Sequence, residues 1–454
     1  MTNTSRLLIG IALVLVIAKA GDHFFLDDRY LCRKIYVPVM AESIDNSGLA
    51  CVKAKAAFKR PQPAENSRIR RELENLIASQ PRKTVIYTND GHRLEGEIIS
   101  RNNGQVRFKS SFGSSGNMMT SLKESDIDRI EESIPDTSPA TDAEVRLKSW
   151  FPSFSFSRQG PYSFFTDDGY FRIIDSVSEL KNLRNQFEAV FARIIDVRRA
   201  KRSNVLIFAR PDDYRAFRDK NASEIRFAVG YYSPKGGYLT FYNFFEDTTY
   251  KETENYTAQE RRKMDELRKA GLSDYGKKWV SGHEREVTSR LTRQAANTRA
   301  KNIRILRHEG SHQLSYDLNL FGVNTEDWLS EGLAQYCETP YIGELDLDII
   351  ESLRQAAGQK RLFKPADMFD DDNTRRIALL ASDKIDLFYA QSWAMFYLLM
   401  QDECRQEMFS YLVAMKTRPF TKQERIALLE RELGFSLDEL QDKVIVFINT
   451  GRAA

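Results

Sequence analysis

RILRHEGSHQLSYDLNLFGVNTEDWLSEGLAQY, residues 304–336, is the stretch on which the reading of this chain turns. Inside it, His308-Glu309-Gly310-Ser311-His312 is an H-E-x-x-H motif. Helical positions i and i+4 lie one above the other, so both imidazoles face the same way. They can converge on one ion at about 2.0–2.1 Å. Glu309 projects about 100° round the helix from His308 and reaches the same space without being a ligand. The run before it, Glu284–Leu306, has a helical pattern and leads into the motif. Gly310 and Ser311 are poor helix formers. Gly310 reads as a close-packing position, with a local weakness as the plain alternative. Eighteen residues separate His312 from Glu331, which lies in a second helical segment, Trp328–Tyr336, after a loop at Phe321–Asn324. A helix–loop–helix hairpin brings Glu331 to a third corner. Two histidines, a glutamate and one open position make a catalytic-type Zn2+ site.

With that spacing, and with the glutamate set in W-L-x-E-G-x-A-x-Y, the segment resembles the gluzincin zinc metallopeptidases of the peptidase-MA-like group. The spacing is that of the aminopeptidase N family, and the W-L-S-E-G-L-A wording is nearer a bacterial branch. The resemblance covers about residues 160–450. It implies an α+β, thermolysin-like metallopeptidase domain, a small mixed sheet joined to a mainly helical part. It further implies His308, His312 and Glu331 as zinc ligands, Glu309 as general base, and a peptide or protein substrate. In aminopeptidase N relatives a tyrosine of a Y-x-K-G helix steadies the oxyanion. Tyr389-Ala390-Gln391-Ser392 holds that place here, 58 residues after Glu331, with Gln391 and Ser392 in place of the K-G pair. The exopeptidase G-x-M-E-N motif is absent, which turns the expectation towards an endopeptidase. In the family an edge strand lies beside the cleft. Val229–Pro234 reads as a turn and Gly237–Asn243 as that strand.

Each of these residues also has a plainer reading. The histidines could belong to an ordinary amphipathic helix, and Glu331 could be a first-turn carboxylate favoured by the helix dipole. Tyr389 could be a buried aromatic in step with Trp393, Phe396 and Tyr397. His283-Glu284 is half a motif, since Val287 stands where a second histidine would be, and reads as a solvated pair. Asp370-Asp371-Asp372-Asn373 reads as a loop or cap rather than a calcium site.

Upstream, residues 81–133 change character. Thr84–Tyr87, Leu94–Ile99, Val106–Lys109, Met118–Leu122 and Ile127–Ile130 are strand-like, with turn signals at Asn89-Asp90-Gly91 and Asn102-Asn103-Gly104. Five short strands in so little chain suggest a small closed barrel, and the pattern resembles SH3-like or Sm-like small barrels. Residues 134–148 are rich in Ser, Thr, Asp and Pro and read as a linker, placing the metallopeptidase domain at 149–454. Residues 21–80 resist classification beyond a helical pattern at Arg68–Ser79, with Pro61 and Pro63 breaking the chain before it.

Arg6 precedes an apolar run, Leu7–Ala18, and Ala18-Lys19-Ala20 fits a cleavage site. Residues 1–20 thus read as a secretory signal peptide, and the chain as extracytoplasmic, periplasmic or secreted. If retained, the segment becomes a membrane anchor, although about 12 apolar residues is short of the roughly 20 that span a bilayer. Export permits disulfides. Proximity pairs Cys32 with Cys51 and leaves Cys337 with Cys404, and free buried thiols are the alternative. With 67 basic against 64 acidic residues, net +3, the chain lacks the clustered surplus that nucleic acid requires. The rival to an enzyme is a non-catalytic envelope scaffold or peptide-binding protein that keeps the fold. Glu309 weighs against it, because a structural site needs no carboxylate there.

Overall fold

A computed structural model describes residues 63–451, except 80–82, 90–92, 112–116, 134–136, 169, 198–201, 223–227, 323–325 and 371–381. The segment read as a signal peptide, Cys32, Cys51 and residues 371–373 of the acidic run lie outside the described residues.

Pro63 opens helix α1 (Pro63–Ala78), a first-turn position where its missing N–H costs nothing. Five strands follow: β1 (Lys83–Thr88), β2 (Arg93–Asn102), β3 (Gln105–Ser111), β4 (Asn117–Lys123) and β5 (Ile127–Ser133). They form one antiparallel sheet in the order β4-β3-β2-β1-β5. Asn103 and Gly104 both take positive φ, 54° and 71°, the backbone a tight hairpin turn requires. Ile86, Val106 and Phe108 form the small core of this sheet.

Helix α2 (Asp142–Trp150) starts with a capping box between Thr141 and Glu144. The supposed linker therefore ends inside a packed helix. Its Glu144 is fully buried beside Arg158, 2.7 Å away, and Arg158 also donates to the Ser138 carbonyl at 2.7 Å. Ile69, Leu73 and Ile77 of α1 pack with Ala140, Val145 and Phe156.

A second, mixed sheet is built from β6 (Ser155–Gln159), β7 (Tyr162–Thr166), β8 (Ser203–Phe208), β9 (Gly230–Ser233) and β10 (Tyr238–Tyr242), in the order β6-β7-β8-β10-β9. Strands β7, β8 and β10 run parallel, while β6 and β9 are antiparallel edges. The three inner strands are buried along their whole length, as two-sided packing demands. Helices α3 (Tyr170–Phe191) and α4 (Pro211–Asn221) connect them. One expectation is corrected here. The edge strand is the supposed turn, Gly230–Ser233, and Tyr238–Tyr242 lies one place further in. Its unbroken burial suits an inner strand.

From residue 248 onward every numbered element is helical: α5 (Thr248–Lys269), α6 (Asp274–Asp317), α7 (Asp327–Tyr336), α8 (Leu347–Gly358), α9 (Ser382–Leu399), α10 (Arg405–Met415), α11 (Lys422–Leu433) and α12 (Leu437–Thr450). The fold is thus α+β. Helix α6 has 44 residues, about 66 Å at 1.5 Å per residue. Its first half pairs with α5, and its last turns, from Ile305, are buried in the main core. Among the described residues no helix is long and apolar enough to cross a membrane. Cys337 and Cys404 carry free thiols, which corrects the pairing read from proximity. Cys337 ends α7 inside the core, whereas Cys404 heads α10 on another element. Burial pushes the Cys337 thiol up to about 12.

Candidate metal centre

Helix α6 delivers His308 and His312 from its buried final turns. Gly310 between them allows this: a Cβ there would lie 2.8 Å from Leu183 and 2.9 Å from Leu180 of α3. The close-packing reading of Gly310 matches this contact. Glu331 comes from the first turns of α7. Gly332 beside it lets α7 press onto α9, since a Cβ would sit 2.6 Å from the Ser392 carbonyl oxygen.

The ligand-type atoms of His308, His312 and Glu331 lie within 4.8 Å of one another. His308 Nε2 and His312 Nε2 are 3.3 Å apart. Glu331 Oε2 is 3.2 Å from His308 Nε2, and Oε1 is 3.7 Å from His312 Nε2. An ion bound tetrahedrally at about 2.05 Å would separate its ligands by about 3.3–3.4 Å, so the spacing fits. Glu331 Oε2 is buried and makes no hydrogen bond despite its closeness to His308.

The outer nitrogens explain why. His308 Nδ1 lies 2.7 Å from Glu338 Oε1. Burial would raise the Glu338 carboxyl, but Arg304 and His308 outweigh it and hold the pKa low. Glu338 therefore accepts, Nδ1–H donates, and in the neutral ring Nε2 keeps its lone pair facing inward. His312 Nδ1 lies 3.0 Å from Ser330 Oγ, a hydroxyl able to accept the Nδ1 proton and so compatible with the same tautomer. Arg304, one turn before His308, bonds Glu338 and, at 2.5 Å, Asp346, the N-cap of α8. Burial would lower the His308 pKa, yet Glu331 and Glu338 lift it well above the ordinary value. Burial would likewise raise Glu331, and the two histidines bring it below the usual carboxylate range. The cluster is thus a pocket of negative potential that favours a cation.

Glu309 is 8% exposed. Burial raises its pKa against the pull of both histidines, and the Tyr232 backbone N–H of edge strand β9 donates to it. Strand β9 comes this near because Gly230 has no side chain: a Cβ there would meet Ile305 at 3.0 Å and Glu309 at 3.1 Å. Tyr389 lies in the middle of α9, its ring 6.4 Å from that of His308. Burial first, then the charges of Glu331 and Glu309, keep its phenol protonated. Gln391, two residues on, bonds both the N–H and the C=O of Phe363, at 2.8 and 2.6 Å, and so serves packing. The structure therefore brings all five residues read from the sequence to one place. Sequence reasoning missed Glu338, Ser330 and Arg304. Glu338 lies past the end of α7, so no helical periodicity marks it.

His283 is no second half-site. It stacks on Trp279 and bonds Glu260, while Asp370 lies 3.4 Å from Lys422. Residues 302–421 match a family described as "Protein of unknown function (DUF1570)", a stretch that takes in the motif, Glu331, Glu338 and Tyr389. No curated protein matches the chain.

Proposed function

We propose that the chain is an exported Zn2+-dependent peptidase of the gluzincin type, with a thermolysin-like domain behind an SH3-like or Sm-like small barrel. One observation carries this reading: two inward-facing imidazole nitrogens and a buried carboxylate converge within 4.8 Å, beside the second buried carboxylate of Glu309. Two imidazoles with one carboxylate and an open position suit Zn2+. When bound, the ion supplies Lewis acidity towards the scissile carbonyl. Everything else falls to the chain. Glu309 takes the proton of the attacking water and passes it to the leaving amine, a task that its burial-raised pKa suits. The protonated phenol of Tyr389 donates to the oxygen on which charge develops. The outer edge of β9, beside Glu309, offers its remaining main-chain groups to an extended peptide. The segment before residue 21 directs export, cleaved after Ala20 or kept as an anchor.

The test is zinc content of the purified chain together with a peptide-library digest read by mass spectrometry. Glu309→Gln should keep the metal and cut turnover by about 10²–10⁴-fold. Full zinc occupancy with cleavage unchanged in Glu309→Gln would sink the mechanism. No cleavage by either protein would favour a peptide-binding role.

A further inference from the structure

Helices α5 and α6 form an antiparallel hairpin whose seam is narrow, with Thr257, Met264, Val280 and Val287 as its buried residues along the outer part. At its tip, where α5 ends at Lys269 and α6 begins at Asp274, large apolar side chains face solvent. Leu267 is 42% exposed, Trp279 53% and Tyr275 82%. Tyr275 and Trp279 are one turn apart on the same face. Trp279 does not fold back to hide. Its ring stacks on His283 with centroids 5.3 Å apart and planes at 10°, and His283 Nε2 is held 3.0 Å from Glu260 Oε2.

The charges around these rings are unevenly paired. Arg268 is taken up by Asp265 and Glu284, and Lys277 by Asp274. Lys269 and Lys278 are exposed, with no ion pair among the described residues, and so is Glu266 beside Leu267. The tip thus presents braced aromatics flanked by two spare ammonium groups and one spare carboxylate. We propose that it docks on an anionic lipid surface. Tryptophan and tyrosine favour the bilayer interface, and lysines beside them favour acidic headgroups. Shape argues against a protein as occupant. A specific protein interface buries roughly 800 Å² per partner across a broad face, whereas a bilayer closes around a tip made of two helix ends.

The chain has four tryptophans. Trp328 and Trp393 are fully buried and Trp150 is half-buried, so Trp279 reports the tip. The full chain would be mixed with phosphatidylglycerol vesicles carrying brominated acyl chains. Wild-type fluorescence should be quenched, and Trp279→Phe should lose that quenching. The Lys269→Glu/Lys278→Glu variant should need at least about tenfold more lipid. The N-terminal segment is present in every arm, so only the tip differs. Circular dichroism checks folding, and Tyr275→Ser, read through the retained Trp279, should weaken quenching in the same direction. No quenching, equal quenching in Trp279→Phe, or equal quenching by phosphatidylcholine overturns the proposal. So does sedimentation showing a dimer abolished by Tyr275→Ser, which would make a second copy the occupant.

Discussion

Glu338 stands just past the end of α7, with the Nδ1 proton of His308 on one side and the Arg304 guanidinium on the other. Glu338→Gln keeps the shape but loses the charge that fixes the His308 tautomer. Metal affinity should fall by about 10–100-fold, measured by competitive titration against a chelating dye, with the circular dichroism spectrum unchanged. Unaltered affinity would reduce Glu338 to a packing residue. The ligands themselves were legible because i, i+4 geometry is local and needs no knowledge of the rest of the chain. Glu338 was not, because a carboxylate just after a helix usually faces water. Only the half-buried Arg304 and the buried Asp346 around it turn it inward. Arg304 was hidden for a different reason: in a helix already crowded with arginines and lysines, one more carries no signal.

Helix α2 owes its place to one buried ion pair. Glu144 accepts from Arg158, Ser163 and the Thr141 N–H. Burial would raise its pKa, but these partners outweigh it and hold the pKa below the ordinary value. Arg158→Met leaves that carboxylate buried and unpaired and should cost about 3–5 kcal/mol in denaturant unfolding at neutral pH. The pH dependence follows in sign. A depressed folded-state pKa contributes stability above the unfolded value, about 4.3 for Glu, that is lost as pH falls through the folded one. Glu144→Gln should therefore lose less stability than wild type between neutral and acid pH. An identical loss would show that other carboxylates dominate there. Strands were easier to read than their places. Alternation and turn residues marked all five strands of the first sheet. Which of two neighbouring tyrosine-rich segments would be the edge depended on Gly230, whose missing side chain matters only against Ile305 and Glu309 on a helix some 75 residues away.

Across the whole molecule, the first sheet is an excursion from a single body. The chain enters it from α1 and returns at Ser138, and both flanks are fastened to the second sheet's side of the molecule. Arg70 of α1 pairs with Asp142 of α2 at 2.5 Å, Lys148 lies 3.7 Å from Glu72, and Arg158 of β6 holds Ser138 and Pro139. Replacing 80–136 by a short Gly/Ser linker should leave the metal site intact, with zinc affinity within a few-fold of wild type. Removing α1 should instead destabilise the chain, because Ile69, Leu73 and Ile77 would leave Val145 and Phe156 open to water. The reverse pattern in thermal melts would mean that the first sheet supports the core. None of this was visible in a Ser- and Pro-rich sequence, where composition reads the same whether the backbone is loose or clamped by a distant arginine.

Helix α6 joins the hairpin tip to the two histidines without a break, and this gives the arm a phase as well as a length. One residue inserted between Val287 and Thr298 would advance everything upstream by 1.5 Å and turn it by about 100° about the axis. Val280 would then swing out of the seam with Met264, and Trp279 would point to another quarter of the molecule. The arm can be lengthened cheaply only in steps near seven residues, two full turns, with α5 growing in parallel. Its length is thereby quantised by the same periodicity that sets His308 above His312.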